Sequence, residues 1–212
     1  MASTAETRSF KDPQSCLQAS GFDIHVLEHD TAVTYAVDAE KQIRYCNQAW
    51  DTFAHENGTD RILRSSIVGR RLGDFIPASL AAFYDHLFGQ AEHTGAVQRF
   101  DYECSSPEVY RVFQMQVFPL PASGGFLLIN SLHVSTRHRR KGSDASDLQY
   151  VRDGGLTMCC HCRRTRRLDS GVWDWVPAYL NQKAHHVAAD LCQICFCFFY
   201  PTLADRFRHE QK

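Results

Sequence analysis

Two Cys-x-x-Cys pairs, Cys159/Cys162 in "CCHC" and Cys192/Cys195 in "CQIC", constrain this chain more than any other feature. A two-residue spacer lets a tight turn present both sulfurs of a pair to one point, and two such pairs complete a closed four-thiolate site, zinc being the expected ion. The 29 residues between the pairs exceed the roughly 15–20 of compact examples. The interval is therefore expected to hold its own hairpin and helix. The competing reading makes these cysteines small buried hydrophobes beside Phe196, Phe198 and Phe199. Core packing alone gives no reason for two paired spacings, which favours the metal. Cys160, His161 and Cys197 fit neither pair, and no βαβ pattern surrounds either motif to suggest a thioredoxin-like redox role.

Cysteine chemistry depends on compartment. The N-terminus lacks the basic start, apolar core and small-residue cleavage site of a secretory signal. The longest apolar runs, such as "CFCFFY" at 195–200, fall far short of the roughly 20 residues a membrane span requires. A cytoplasmic location without membrane insertion is expected, and a reducing compartment disfavours structural disulfides. The 212 residues, 44% of them hydrophobic, suffice for one ordinary domain and a small second one. Charge agrees: residues 1–136 carry 10 basic and 16 acidic groups, whereas 137–212 carry 13 and 8, so the halves stand at −6 and +5.

"TAVTYAVD" at 31–38 and "QIRYCN" at 42–47 read as two strands of a hairpin. Asn47 is placed to cap a helix carrying Ala49, Trp50, Phe53 and Ala54, which Asn57-Gly58 ends. Pro77 opens a longer helix with an apolar stripe of Leu80, Phe83, Tyr84, Leu87 and Phe88, closed by Gly95. Strands over 96–104, 108–120 and 124–134 follow. The expected fold is α+β, a five-stranded antiparallel sheet with helices gathered on one side. The boundaries expected are a partly helical N-terminal extension at 1–30, a domain at 31–134, a linker at 135–155 and a zinc-binding module at 156–212.

"YAVDAEKQIRYCNQAWDTFA", with Asp38, Ile43, Asn47 and Ala49, resembles the opening of a PAS domain. "IVGRRLGDFIP" is similar to the family's lead into its long helix, and "YECSSPEVYRVFQMQVFPLP" resembles its later strand pair. The resemblance implies a sheet enclosing a small pocket, used for sensing or association. The C-terminal segment resembles a small module found behind PAS, GAF and receiver domains in bacterial signalling proteins. Its features would be Cys159 and Cys162, Arg163 and Arg164, the turn Asp169–Gly171, Trp173, Tyr179, then Cys192 and Cys195. It departs from the pattern in lacking Ser-His just ahead of the second pair.

Tyr35, Ile43, Tyr45, Phe53, Phe75, Leu80, Tyr84, Leu87, Phe100, Phe126 and Leu128 are expected between sheet and helices, as plain core or as a small-molecule pocket with Gln114, Gln116 or Asn130 as polar contacts. By resemblance a haem sensor would use an axial histidine on the long helix, where His86 and His93 lie; both read better as surface residues. Flavin photochemistry is not expected, since "GRRLGDFIP" lacks the reactive cysteine. Arg163, Arg164, Arg166 and Arg167, with Trp173 and Trp175, form a candidate partner surface, though the arginines read equally as a solvated turn and the two indoles as core packed on the module's own helix. A protein is favoured over nucleic acid because the whole chain is near neutral. Leu17, Phe22, Ile24, Val26 and Leu27 are too many apolar groups to leave in water and should pack on the sheet, on the zinc module or across a homodimer, of which the homodimer is the expectation. The reading is a signalling or regulatory protein rather than an enzyme; a zinc or thiol enzyme and a nucleic-acid-binding zinc protein are the alternatives.

Overall fold

The computed structural model describes residue 10 and residues 12–181 and 185–203. Two short helices, α1 (Pro13–Ala19) and α2 (Ile24–His29), open the chain, each capped by an aspartate, Asp12 and Asp23. Strands β1 (Val33–Val37) and β2 (Ile43–Cys46) form the expected hairpin. Asp38 holds its turn together by accepting from the Gln42 N–H at 2.8 Å and from Arg44 Nε at 2.6 Å. Helices α3 (Gln48–Glu56), α4 (Arg64–Ile67) and α5 (Ala78–Thr94) come next, then β3 (Gln98–Glu103), β4 (Val109–Leu120) and β5 (Gly125–Arg137). The five strands make one sheet in the order β2-β1-β5-β4-β3. This is the α+β architecture anticipated from the strand and helix periodicities.

Asn47 explains why the hairpin and α3 meet as they do. It caps α3 by accepting from the Trp50 N–H, and it also accepts from Thr34 N–H at 3.0 Å. Its amide donates to the carbonyls of Leu27 and Ala32, both at 2.9 Å. The side chain is wholly buried, so every bond it makes is one that water cannot replace.

Alternation along the strands divides the sheet into two faces. Tyr35 pairs with Leu128 and Val37 with Phe126 and Ile43, so these side chains share one face. Ala36 pairs with Tyr45 and Leu127 on the other face, where they pack with Leu17, Leu27 and Leu120. Phe22 and Ile24 lie against that cluster, whereas Val26 remains 66% exposed. Leu17, Leu27, Phe22 and Ile24 thus pack on the sheet, and Val26 stays in solvent. Gly125 permits the tight β1–β5 approach, since a Cβ there would run into the Val37 carbonyl.

The C-terminal segment contains α6 (Asp147–Tyr150), β6 (Gly155–Cys159), β7 (Thr165–Arg166), β8 (Trp173–Asp174), α7 (Ala178–Asn181), β9 (His186–Asp190) and α8 (Gln193–Phe199). Its sheet runs β8-β7-β6-β9, with β9 parallel to β6. Tyr150, Leu156, Met158, Val176 and Tyr179 form one core cluster in it. The expected hairpin and helix between the cysteine pairs are β7–β8 and α7. The stretch 135–155 is more structured than a linker: β5 runs on to Arg137, and Tyr150 is fully buried in this core.

Contacts divide the chain into two compact units. One comprises residues up to Ile76 with Tyr84–Asp101 and Gln114–Leu132; the other comprises Pro77–Phe83, Tyr102–Phe113 and the chain from His133 onward.

Candidate metal centre

Cys159 closes β6, and the chain then turns back so tightly that Arg163 adopts a positive φ of 61°. The turn is fixed by Arg163 N–H donating to the Cys159 carbonyl at 3.0 Å and Cys159 N–H donating to the Arg164 carbonyl at 2.8 Å. Cys192 is the N-cap residue of α8 and Cys195 lies in that helix's first turn. The β6–β9 pairing sets Cys159 opposite Asp190, which delivers the second pair beside the first. All four residues are buried, and their sulfurs lie within 4.8 Å of one another. The Cys162 and Cys192 sulfurs are 3.7 Å apart. A tetrahedron with metal–sulfur bonds of about 2.3 Å has sulfurs separated by about 3.8 Å, so the donor set can hold a metal ion.

Two N–H donors from the surrounding groups point at the sulfurs. Backbone N–H of Cys192 points to Cys159 Sγ at 3.4 Å, and Arg164 Nη1 to Cys162 Sγ at 3.6 Å. Sulfur-hydrogen donation from Cys162, then from Cys192 and Cys195, pulls the Cys159 pKa down, while the same contact with Cys159 pushes Cys162 up. Four thiols so close hold negative charge jointly, the setting a cation relieves.

His161, a residue outside both pairs, organises this site. The Glu103 N–H donates to His161 Nε2 at 2.8 Å. A backbone amide can only donate, so Nε2 carries the lone pair and the proton resides on Nδ1. That nitrogen is 3.2 Å from Cys195 Sγ, an N–H···S bond of the kind that orients metal ligands. Burial keeps the imidazole pKa below its ordinary value, in keeping with the neutral ring. The Glu103 carboxylate accepts from Arg140 Nη2 at 2.7 Å, and Arg140 Nη1 donates to the Cys162 carbonyl at 3.1 Å. Sequence offered one hint of this, the histidine inside a cysteine spacer; nothing local pointed to Glu103 or Arg140. Cys160 and Cys197 are half-buried, and burial pushes the Cys160 thiol up to about 11.

Of the candidate partner residues, Arg166 and Trp173 are cross-strand neighbours on β7 and β8, whereas Trp175 is buried. Trp175 is 5% exposed, its ring 4.5 Å from that of His138 and 5.2 Å from the Arg140 guanidinium. Trp173 is half-buried on β8. Arg167 is committed to Asp169 by bonds of 3.1 and 3.0 Å, and Arg164 serves Cys162. Arg163 is held in the turn. Arg166 and Arg167 line a cavity of about 640 Å³ with Tyr150, Arg152, His186 and Val187.

The candidate small-molecule pocket also separates. Tyr35, Leu87, Phe126 and Leu128 are buried, and Phe53, Phe75, Tyr84 and Phe100 half-buried. Tyr45 lies on the opposite face, its hydroxyl donating to Glu28 at 3.1 Å. Gln114 alternates with the buried Phe113 and Met115 and donates to Asp101 at 3.1 Å in an exposed position, so it points away from that core. Asn130 donates to the Val33 carbonyl. His86 and His93 are exposed on α5, which gives neither a route to an enclosed haem.

A family model described as PAS fold matches residues 27–139. Among solved structures, the photoactive yellow protein domain of the sensor histidine kinase Ppr from Rhodospirillum centenum shares 13% identity, covering 53% of this chain and 95% of that one at a TM-score of 0.40. The PAS domain of nitrogen regulation protein NR(II) from Vibrio parahaemolyticus shares 16% identity, covering 51% and 95% at 0.36. The PAS domain of the RpfR quorum-sensing receptor from Cronobacter turicensis, in complex with BDSF, shares 11%, covering 50% and 97% at 0.38. No curated protein matches the sequence.

Proposed function

Because the chain belongs to the PAS-fold family, which its residues 27–139 match, we propose that it is a bacterial signalling or regulatory protein with two working parts. The PAS domain senses a small ligand or mediates association, and the C-terminal module, built on a structural zinc ion, docks another macromolecule. The buried four-sulfur cluster of Cys159, Cys162, Cys192 and Cys195 carries this reading. Four thiolates at tetrahedral spacing suit zinc, and they leave no coordination position for a substrate, which supports a structural ion over a catalytic one. When bound, zinc supplies a cross-link between the β6 turn and α8. His161 and the Cys192 amide orient sulfurs for it, and Arg140 ties the Cys162 carbonyl to Glu103.

A protein partner is favoured over nucleic acid. Arg167 is neutralised by Asp169 and Arg164 is turned toward a sulfur, so the arginine run does not present the continuous cationic strip that phosphate recognition uses. None of the nine cysteines is in a disulfide, in keeping with a cytoplasmic home. Among the described residues, no helix is long and apolar enough to cross a membrane.

Native mass spectrometry of the freshly purified chain tests the proposal. The expected result is one zinc per chain, lost when Cys159 or Cys192 is changed to serine. A chain that binds no metal and keeps an unchanged C-terminal NMR spectrum would overturn it. A zinc with a bound water and only three protein ligands would favour the zinc-enzyme alternative.

A further inference from the structure

Edge strands expose unpaired N–H and carbonyl groups, and proteins normally cover or shorten them. The two sheets have four edge strands, β2, β3, β8 and β9. Along β2, Ile43 N–H donates to the Arg70 carbonyl and Gly69 N–H to the Ile43 carbonyl, so the chain at 69–71 covers that edge. On β3, Glu103 N–H is taken by His161. Strand β8 has only two residues. Strand β9 differs from all of these: His186, Val187, Ala188, Ala189 and Asp190 are each exposed, and β9 pairs only with β6 among the described strands.

The phase of the β6–β9 ladder identifies the free groups. His186 N–H donates to the Gly154 carbonyl and the Asp190 carbonyl accepts from Cys160 N–H. His186, Ala188 and Asp190 therefore direct their backbone toward β6, and Val187 and Ala189 direct theirs to the open edge. No proline, lysine or bulge guards that edge.

We propose that β9 is a self-association edge, pairing antiparallel with β9 of a second copy of this chain about a two-fold axis through Ala188. In this register Val187 faces Ala189 of the second copy, and every outward N–H and carbonyl of both strands is satisfied. Registers centred on Val187 or Ala189 bond fewer of them. The same register sets His186 opposite Asp190 of the second copy, an imidazole against a carboxylate, at both ends of the pairing. One Asp190 oxygen already accepts from Leu191 N–H; the other is free for this contact. Ala188 meets its symmetry mate as a non-hydrogen-bonded pair, where Cα atoms approach to about 4.5 Å and a small side chain fits. The product is an isologous dimer with one sheet running continuously through both modules. The inference rests on the reading of the module as a docking surface and names the partner as a second copy.

Sedimentation equilibrium on the full chain tests it, with Ala188→Lys and Ala189→Pro as variants. The first places like charges face to face on the axis; the second removes an outward N–H and leaves the β6 ladder intact. The wild type is expected to dimerise in the micromolar range, and each variant to weaken association about tenfold or more with metal content unchanged. Two results would overturn the inference: a wild-type chain that stays monomeric at high micromolar concentration, or a dimer that both variants leave intact, including one broken instead by Val26→Asp on α2. Metal content separates this failure from failure of the zinc reading. A zinc-loaded monomer defeats only the self-pairing edge, and a metal-free dimer broken by Ala188→Lys defeats only the zinc.

Discussion

The unit built on β1, β2 and their helices and the unit that carries the cysteines solve the same problem with different means. In the first, long strands bury large apolar side chains on both faces of a sheet: Phe126, Leu127 and Leu128 are adjacent in sequence and all essentially inaccessible. In the second, β7 and β8 have two residues each, and the elements around the cysteines share a cluster of five buried residues, Tyr150, Leu156, Met158, Val176 and Tyr179. A core that small rarely stabilises a fold unaided, and nature adds a staple such as a metal. The cysteines sit where that addition is needed.

The largest test of this contrast is metal removal. Structural zinc contributes on the order of 10 kcal/mol of apparent folding free energy in small domains. Chelation, or Cys192→Ser, should therefore collapse the NMR dispersion of β6–β9 and α8 while resonances of β1, β2 and α3 persist. If both sets of resonances collapse together, the units are not independently stabilised. The mirror experiment is Leu128→Ala, which should cost about 2–5 kcal/mol in denaturant unfolding of the first unit and leave metal stoichiometry unchanged.

Asn47→Ala comes next, at about 2 kcal/mol. The loss combines a helix cap with buried groups on Thr34, Leu27 and Ala32 left without partners. His161→Ala sharpens the comparison from the other side: its effect should show in metal affinity, by competition with a chelator, as a loss of about 10–100-fold. His161→Gln should recover part of that loss, since an amide can both accept from Glu103 N–H and donate toward Cys195. A purely space-filling histidine would show no such rescue. Val26→Asp is the smallest, within about 0.5 kcal/mol, because that side chain already faces solvent.

Most of the sheet was legible because its signals are local. The 31–38 and 42–47 strands, the Asn47 cap and the Pro77 helix each follow from residues within one or two turns of the element they define. The cysteine pairs were legible for the same reason, since spacing alone brings sulfurs together. What sequence hid was register. The β1–β2 pairing sets Tyr45 beside Ala36, on the face opposite Tyr35, and then shifts between Ala36 and Val37, so that Ile43 and Tyr45, two residues apart, lie on opposite faces; no pattern of residue types announces it. Whether Trp175 is core or surface was hidden for a related reason. The strand ends at Asp174, so alternation from Trp173 no longer applies, and the indole is claimed by His138 and Arg140, residues from a stretch that reads as linker. The His161–Glu103 bond spans 58 residues and belongs to tertiary structure alone.

The order of the cysteines along the chain has a further consequence. Between the two pairs lies the exposed turn Leu168–Ser170, and β7 and β8 meet across it. A protease that cuts there leaves one CxxC on each piece. The pieces would travel as a single particle, joined by the β6–β9 ladder and by an ion bound to two sulfurs from each side, and would part only on chelation. With zinc bound as proposed, the four-cysteine site would thus be a covalency-independent clasp, able to hold a severed polypeptide in its native arrangement.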